Sequence, residues 1–386
     1  MDSRITKKRL SDYFSYQWIF VLVMCAVAII VWELAYTIGS VRLTVGQHFK
    51  FYFDKTVWSG STSEFYQLFK DEDTFSYDVL SLDNEAILEA NDILSTRLYI
   101  QEGDILITNS LEPTAEEKEK GKIVIANSRI DHMKIYPLHE MNIDAKAYLY
   151  DFLNNDLKTT AEQKIAEYKL EQATEENKGY FKEENSLKIR KEKANAFNLA
   201  ISGLNANYDN LDQVFSEQFS QSKISKNFRS RMKKDNRFRK EDDIQKGIIS
   251  ETARIKKLVK EVLDFDKVLQ KEELLYKYTK YSQACLEYAE DDYYSNEYST
   301  ALEREKKLGR ENAAYGINVA KLNLFTNTEK DVTTKYFQLA NLDPESVSSD
   351  NVVMMAFNFR SYQPDLQFEC ISFMNAVVRA CSTILD

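Results

Sequence analysis

The pattern of apolar and polar positions begins with one long uncharged stretch. Residues 13–32 form twenty consecutive positions without a charged side chain, and Trp18 and Trp32 bracket an almost purely apolar centre. A helix of that length spans about 30 Å, which matches the hydrocarbon core of a bilayer. Tryptophan rings favour the headgroup level on either side of that core. The pattern therefore predicts a transmembrane anchor over residues 13–38.

Basic residues before this stretch predict its orientation. Because positive charge is retained on the cytoplasmic side of a membrane, residues 1–12 are predicted to be a cytoplasmic basic tail. The rest of the chain is then extracytoplasmic, in a single-pass protein of the cell membrane. A cleaved signal peptide is the alternative, but its apolar run is usually only about 7–15 residues long. The basic residues concerned are Arg4, Lys7, Lys8 and Arg9.

Residues 41–140 carry two alternating kinds of pattern. Alternation of apolar and polar residues is typical of strands, and apolar residues three or four apart are typical of helices. An order of strand, helix, strand, helix, strand predicts a parallel α/β lobe whose helices cover the sheet. The strand candidates lie at 41–45, 49–53, 75–82, 104–108 and 122–126, and the helix candidates lie at 61–70 and 84–101.

Residues 141–310 have a different character, since they lack proline and are rich in lysine and glutamate. The apolar residues of the clearest run are mostly three, four or seven apart, which favours helices. We predict several antiparallel helices in this region. The run consists of Ile244, Ile248, Ile255, Val259, Val262, Phe265 and Leu269.

Residues 311–386 return to a mixed pattern. A buried strand candidate at 351–358 is followed by an amphipathic helix candidate at 366–385. We expect this C-terminal α/β segment to pack on the first lobe. The predicted fold class is therefore α/β or α+β, with a large all-helical region.

Net charge and motifs narrow the possible functions. A formal net charge of −10 argues against nucleic acid as a partner, because phosphate binding needs a basic surface. The three histidines, His48, His132 and His139, lack the spacing of a metal site. The chain contains no P-loop, no nucleophile elbow and no dinucleotide fingerprint. We predict no catalytic residue, metal or cofactor, and a hydrolase of the cell envelope is a third hypothesis without a supporting set of residues.

Polar residues that follow the predicted strands are candidates for a small polar solute. In a parallel sheet, ligands meet the loops at the carboxyl ends of the strands. Hydroxyl and amide groups suit hydrogen bonding, and a tryptophan ring can stack on a solute. Ordinary helix N-caps are the alternative interpretation. The candidates are Trp58, Ser59, Ser61, Asp83, Asn84, Asn109 and Ser110.

The strongest charge feature is a cluster of nine basic residues between Lys223 and Lys240, opposed only by Asp235. Such a cluster can contact anionic lipid headgroups or wall polymers. It can also dock on the acidic remainder of the same chain, or form a solvated surface. The candidates for contact with an anionic surface are Lys226, Arg229, Arg231, Lys233, Lys234, Arg237 and Arg239.

Four carboxylates lie among tyrosines at 287–294. Carboxylates and aromatic rings together suit a cation or a cationic ligand. A solvated helix end whose tyrosines pack inward is the alternative. The spacing does not fit a calcium loop.

The overall layout resembles the membrane-anchored, periplasmic-binding-protein-like extracytoplasmic proteins of Gram-positive bacteria. The resemblance is carried by the anchor, by the Gly-Asp step before the apolar strand at 103–108, by residues 315–318, and by the closing strand and helix at 352–385. It covers residues 41–130 and 311–386, and it implies two α/β lobes around a cleft. Residues 141–310 depart from that family because they are too helical for an ordinary second lobe.

Two functional hypotheses follow. The first is a membrane-tethered extracytoplasmic solute-binding protein or an accessory protein of an ABC transporter, with a small polar solute as ligand. Its further partners would be the membrane, through residues 13–38, and a transporter permease or other membrane protein. The alternative is a structural or interaction protein whose helical region binds a membrane or cell-wall partner.

Overall fold

The computed structural model describes most of the chain as two compact units, Met1–Leu43 and Thr44–Asp386. The residues described are 7–39, 48–54, 69, 81–87, 103–108, 135–154, 159–174, 180–277, 303, 306–310, 312–325, 352–358 and 368–386.

The described part of the first unit is one helix, α1 (Lys7–Gly39). Large apolar side chains along it are exposed, and Trp32 is the most exposed of them at 73%. Among the residues that the structure describes, no helix combines the length and the apolarity needed to cross a membrane.

This finding contradicts the predicted anchor at 13–38 and the predicted single-pass location in the cell membrane. The reason lies in the length of the apolar run. The strictly apolar part of α1 covers residues 19–31, which is about 20 Å of helix, whereas a bilayer core is about 30 Å thick. The sequence-based prediction counted the uncharged polar residues before it, such as Ser15 and Gln17, as part of the membrane segment.

The second unit is organised around one mixed sheet of six strands, in the order β2-β1-β3-β6-β5-β4. β1 pairs with β2 and β3 in parallel, whereas β3, β6, β5 and β4 pair in antiparallel fashion. The strands are β1 (His48–Asp54), β2 (Ser81–Ile87), β3 (Ile105–Thr108), β4 (Leu275–Lys277), β5 (Ala314–Asn318) and β6 (Val353–Ala356).

Seven further helices of this unit lie within the described residues. They are α2 (Leu138–Tyr150), α3 (Thr159–Thr174), α4 (Tyr180–Ala200), α5 (Leu211–Gln218), α6 (Gln221–Arg231), α7 (Glu241–Leu269) and α8 (Glu369–Cys381). Short 3₁₀ turns lie at Met232–Lys234, Asn236–Phe238, Glu272–Leu274 and Val319–Phe325. The apolar spacing of residues 244–269 predicted a helix there, and α7 confirms it.

Alternation along β1 gives the sheet two buried faces. Phe49, Phe51 and Phe53 lie in the main core, where Phe49 stacks on Phe373 of α8 with ring centroids 5.2 Å apart. Tyr52, between them, belongs to a smaller apolar cluster. Buried residues of α2, α4, α7 and α8 belong to the same main core as the strands. The helices are therefore part of the sheet's own hydrophobic core.

The predicted fold class is wrong. The described residues are mostly helical with one small mixed sheet, and a periplasmic-binding-protein-like α/β domain behind a transmembrane helix is contradicted. Two physical causes can be identified. The end of the predicted strand at 75–82 and the start of the predicted helix at 84–101 both fall within one strand, β2. In addition, β6 pairs with β3 in antiparallel fashion, which makes the sheet mixed. The lysine- and glutamate-rich helices supply much of the core, because their buried stripes pack on the sheet.

Candidate functional site

The predicted solute-binding residues are only partly within the described structure. Asp83 and Asn84 lie in the middle of β2, in register with Lys50 and Phe51 of β1, and not in a loop after a strand. Outside the described residues lie Trp58, Ser59, Ser61, Asn109 and Ser110. A shared solute site is thus a prediction that the described residues do not assemble.

The described residues do not provide a cation or metal site. The acidic segment at 287–294 lies outside the described residues. Within the described part of the chain, no group of three or more histidine, cysteine or acidic side chains is placed to hold a metal ion. His139 is described, and burial lowers its pKa.

The basic cluster is the predicted feature that the structure describes most fully. It lies on a hairpin made of α6, the two 3₁₀ turns that follow and the first turns of α7. Ile224 and Phe228 of α6 are buried, and the Phe228 and Phe238 rings meet edge to face at 5.1 Å. A Cβ on Gly247 of α7 would lie 2.7 Å from one ring carbon of Phe228 and of Phe238. The hairpin is therefore packed too closely for a side chain at that position.

Three arginines of the cluster form ion pairs, either within the hairpin or with a glutamate further along α7. Arg231 Nη2 lies 2.8 Å from Glu251 Oε2, and Arg237 Nη2 donates to Asp235 Oδ2 over 2.6 Å. Arg229 Nη1 donates to Glu241 Oε2 over 3.1 Å. The hydrogen bonds from Arg229 lower the pKa of Glu241 to about 2. The docking of basic residues on acidic residues of the same chain thus accounts for Arg229, Arg231 and Arg237.

The lysines behave differently. Lys226, Lys233 and Lys240 are exposed, and within the part of the chain that the structure describes no acidic side chain pairs with any of them. Arg239 is also exposed and makes contacts of its own, and Lys234 lies in the first 3₁₀ turn. The structure therefore separates three paired arginines, Arg229, Arg231 and Arg237, from three lysines that face solvent.

Behind the hairpin lies a chain of buried ion pairs, which we call the buried relay: Arg231, Glu251, Arg254 and Glu369. Arg254 donates to the two oxygens of Glu251 from Nε and Nη2, over 3.0 Å each. Its Nη1 lies 3.8 Å from Glu369 Oε1. Glu251 and Arg254 are each 3% exposed. The relay connects α6, α7 and α8 through charge pairs.

Protonation in the buried relay follows from these contacts. Burial would raise the pKa of Glu251, but the charges of Arg254 and Arg231 outweigh it and leave the pKa lowered. The sequence-based analysis missed these residues. Their signal was present, because Glu251 falls three residues after Ile248 and four before Ile255 on the apolar stripe of α7. A charged residue on a buried stripe needs a buried partner.

Further ion pairs in the described region join acidic and basic side chains of neighbouring elements. Glu140 and Asp144 of α2 pair with Arg190 of α4 and Arg310, and Arg379 of α8 bonds to Glu261 over 2.8 Å. These pairs connect neighbouring helices, and each acidic group has a cationic partner. These pairs stabilise the packing of the helices. The exposed lysines of the basic cluster therefore stay the candidate contact surface.

Comparisons with known proteins add no neighbour, since no family model, curated protein or solved structure matches this chain. The resemblance to periplasmic-binding-protein-like proteins therefore stays a prediction at the level of family. The candidate site rests on the chain's own geometry.

Proposed function

We propose that this chain is a non-enzymatic interaction protein whose basic hairpin binds an acidic segment of a partner protein. The observation that carries the proposal is the division of the cluster. Three of its arginines, Arg229, Arg231 and Arg237, have acidic partners. Lys226, Lys233 and Lys240 face solvent, and no acidic side chain among the described residues pairs with them. The proposal follows the second functional hypothesis, in which the helical region is the working surface.

The chemistry of the hairpin favours a short acidic segment over a continuous polyanion. Glu241, Asp242 and Asp243 form the first turn of α7, directly beside the lysines. The whole chain also has a formal net charge of −10. A flat or cylindrical polyanion would bring its negative charge against the acidic first turn of α7 and against the negatively charged remainder of the chain. A short segment can follow the lysines alone, since charges beyond about 8 Å are screened at physiological salt.

An apolar contact is available on the same helix. Ile249 of α7 is 70% exposed and lies three residues after Lys246, which places both on one helix face. Exposed charges contribute specificity and association rate more than affinity. An acidic segment with one apolar residue therefore fits this surface better than a purely acidic one.

The test compares two charge-reversal variants that carry the same change in net charge. The site variant is Lys226→Glu with Lys233→Glu, and the control is Lys169→Glu with Lys260→Glu, two exposed lysines outside the hairpin. The probe is a fluorescein-labelled polyglutamate peptide, and the readout is fluorescence anisotropy at low salt. An exposed charge contributes about 0.5–1 kcal/mol, so we expect the site variant to bind about tenfold more weakly.

The control variant should change the affinity by less than about twofold. Equal weakening by both variants would show that only net charge matters, and it would contradict the proposed site. Duplex DNA and vesicles of phosphatidylglycerol with phosphatidylcholine are measured in parallel. Tighter binding to either of these than to the peptide would overturn the acidic-segment proposal.

A further inference from the structure

Asp104 lies where the chain enters β3, and it holds three segments of the sheet together. Its backbone N–H donates to Lys50 O over 2.7 Å, and its carboxylate accepts the Lys50 N–H over 2.8 Å. Its carbonyl oxygen accepts the Phe357 N–H over 3.0 Å. Gly103 before it has φ +109°, and a Cβ there would lie 3.1 Å from Tyr52 Cδ2. The approach of the chain to Asp104 is therefore fixed by close packing.

The N-terminal turn of α8 meets Asp104 from the main core. The Cys370 thiol donates to the Asp104 carbonyl oxygen over 3.6 Å. Burial, with Asp104 and Glu369 nearby, raises the pKa of Cys370 well above its usual value, so the thiol is neutral. Glu369 is 1% exposed and brings a second carboxylate to this junction. Two acidic groups thus lie at the contact between the sheet and α8.

Cations near this junction are committed elsewhere. Arg254 of α7 bonds to both oxygens of Glu251 and to Tyr148 OH of α2, and it reaches Glu369 at 3.8 Å. Arg231 of α6 pairs with Glu251.

On β1, the Lys50 ammonium lies over the Tyr52 ring, 5.3 Å from its centroid. Directly after β6, the backbone N–H of Phe357 donates to the Asp104 carbonyl oxygen. In the described part of the chain, the Asp104 carboxylate therefore has no cation within 4 Å and is held by one N–H.

A partly buried carboxylate beside another carboxylate, without a cation, is disfavoured in its charged form. Burial raises the pKa of Asp104 to about 7, the Lys50 N–H opposes that rise, and the charge of Glu369 adds to it. The geometry and the direction of the shift agree.

We propose that Asp104 is a proton-operated latch between the sheet and α8. When protonated, its carboxyl group still accepts the Lys50 N–H and places no charge beside Glu369. When ionised, it repels Glu369 and loosens the N-terminal turn of α8. This device goes beyond the proposed partner binding and does not depend on it.

The sign of the pH effect follows from linkage. The pKa of Asp104 is raised from 3.8 in the unfolded chain to about 7 in the folded state. The folded state therefore binds more protons in that window, and stability falls as pH rises. The contribution is fully present below about pH 4 and is lost once the pH passes about 7.

The test uses Asp104→Asn in the full chain, because an amide oxygen still accepts the Lys50 N–H but cannot ionise. Unfolding constants from urea titrations are compared with wild type from about pH 5 to about pH 8.5. We expect the ratio of the two constants to change by nearly tenfold per pH unit between about pH 5 and pH 6.5, and to level off above about pH 8. Hydrogen exchange at residues 369–374, corrected for intrinsic rates, should speed up at high pH in wild type alone.

The control is Asp242→Asn, the same change at an exposed aspartate in the first turn of α7. It should leave the pH profile between about pH 5 and pH 8.5 unchanged. Parallel profiles for Asp104→Asn and wild type would overturn the latch. Carbon-13 NMR of the Asp104 carboxyl in the wild-type chain is independent of any variant. A midpoint near 7 supports the proposal, and a midpoint below about 5 overturns it.

Discussion

Gly247 determines how closely the basic hairpin packs on α7. A methyl group there would lie 2.7 Å from ring carbons of Phe228 and Phe238, far inside normal contact. Gly203, in the turn that follows α4, has nothing within 4 Å of the same position. The two glycines therefore offer opposite surroundings for the same substitution.

We expect Gly247→Ala to lower the free energy of unfolding by about 1–2 kcal/mol. Overpacking costs about 1–3 kcal/mol, and the better helix propensity of alanine offsets up to about 1 kcal/mol of that. Gly203→Ala should be neutral or slightly stabilising, by about 0.5 kcal/mol. Urea denaturation of both variants is the measurement, and equal effects would show that the rings move aside freely.

The cluster that contains the candidate site was visible in the sequence, but its internal division was not. Nine basic residues with one acidic residue among them predicted a charged surface. The partner of Arg231 lies twenty residues further along, at Glu251 of α7, and sequence separation carries no information on such a contact. The structure was therefore needed to show which basic residues face solvent.

At the scale of elements, the buried relay fixes how α6, α7 and α8 meet. Arg254 joins Glu251 and Glu369 in a region that is almost entirely buried. Removal of one member of a buried ion pair leaves an uncompensated charge in the core. The exposed pair between Lys256 of α7 and Asp212 of α5 offers a comparison on the same helix, with Asp212 85% exposed.

Arg254→Met should destabilise the protein by about 3 kcal/mol or more, because two buried carboxylates lose their shared cation. Lys256→Met, which removes an exposed ion pair, should cost less than about 1 kcal/mol. Thermal and urea unfolding of the two variants measure the difference. A loss of the same size in both would contradict the structural role of the relay.

Elements with strong periodicity were predictable, whereas β2 was not. The stripe of α7, the aromatic-rich strand β1 and the short buried strand β3 appeared in the sequence and in the structure. β2 contains Asp83, Asn84 and Glu85, residues that are depleted in strands. Parallel pairing with β1 overrides that low propensity, and this pairing cannot be read from local sequence.

On the scale of the whole molecule, the helices and the sheet of the second unit share one hydrophobic core. Phe51 of β1, Leu149 of α2, Val262 of α7 and Phe373 of α8 belong to the same buried cluster. The sequence-based analysis divided residues 141–310 from the flanking α/β segments because their composition changes. The lysines and glutamates that dominate the composition lie mostly on the solvent face of the helices. The apolar residues on the opposite face form the shared core.

A fragment of residues 44–386 should therefore unfold in a single cooperative transition. Helix content by far-UV circular dichroism and tyrosine packing by near-UV circular dichroism should give coincident urea curves, since loss of the helices also removes one wall of the sheet. Two separated transitions would show that the helices form an independent domain.

The strand order also has a consequence for biosynthesis. β6, at residues 353–356, lies between β3 and β5, and α8 covers the sheet from residues 369–381. Synthesis proceeds from the N-terminus, so β1 and β3 are made long before the strand and helix that complete them. Phe49 and Phe51 of β1 therefore lack their partner ring, Phe373, until synthesis has reached α8.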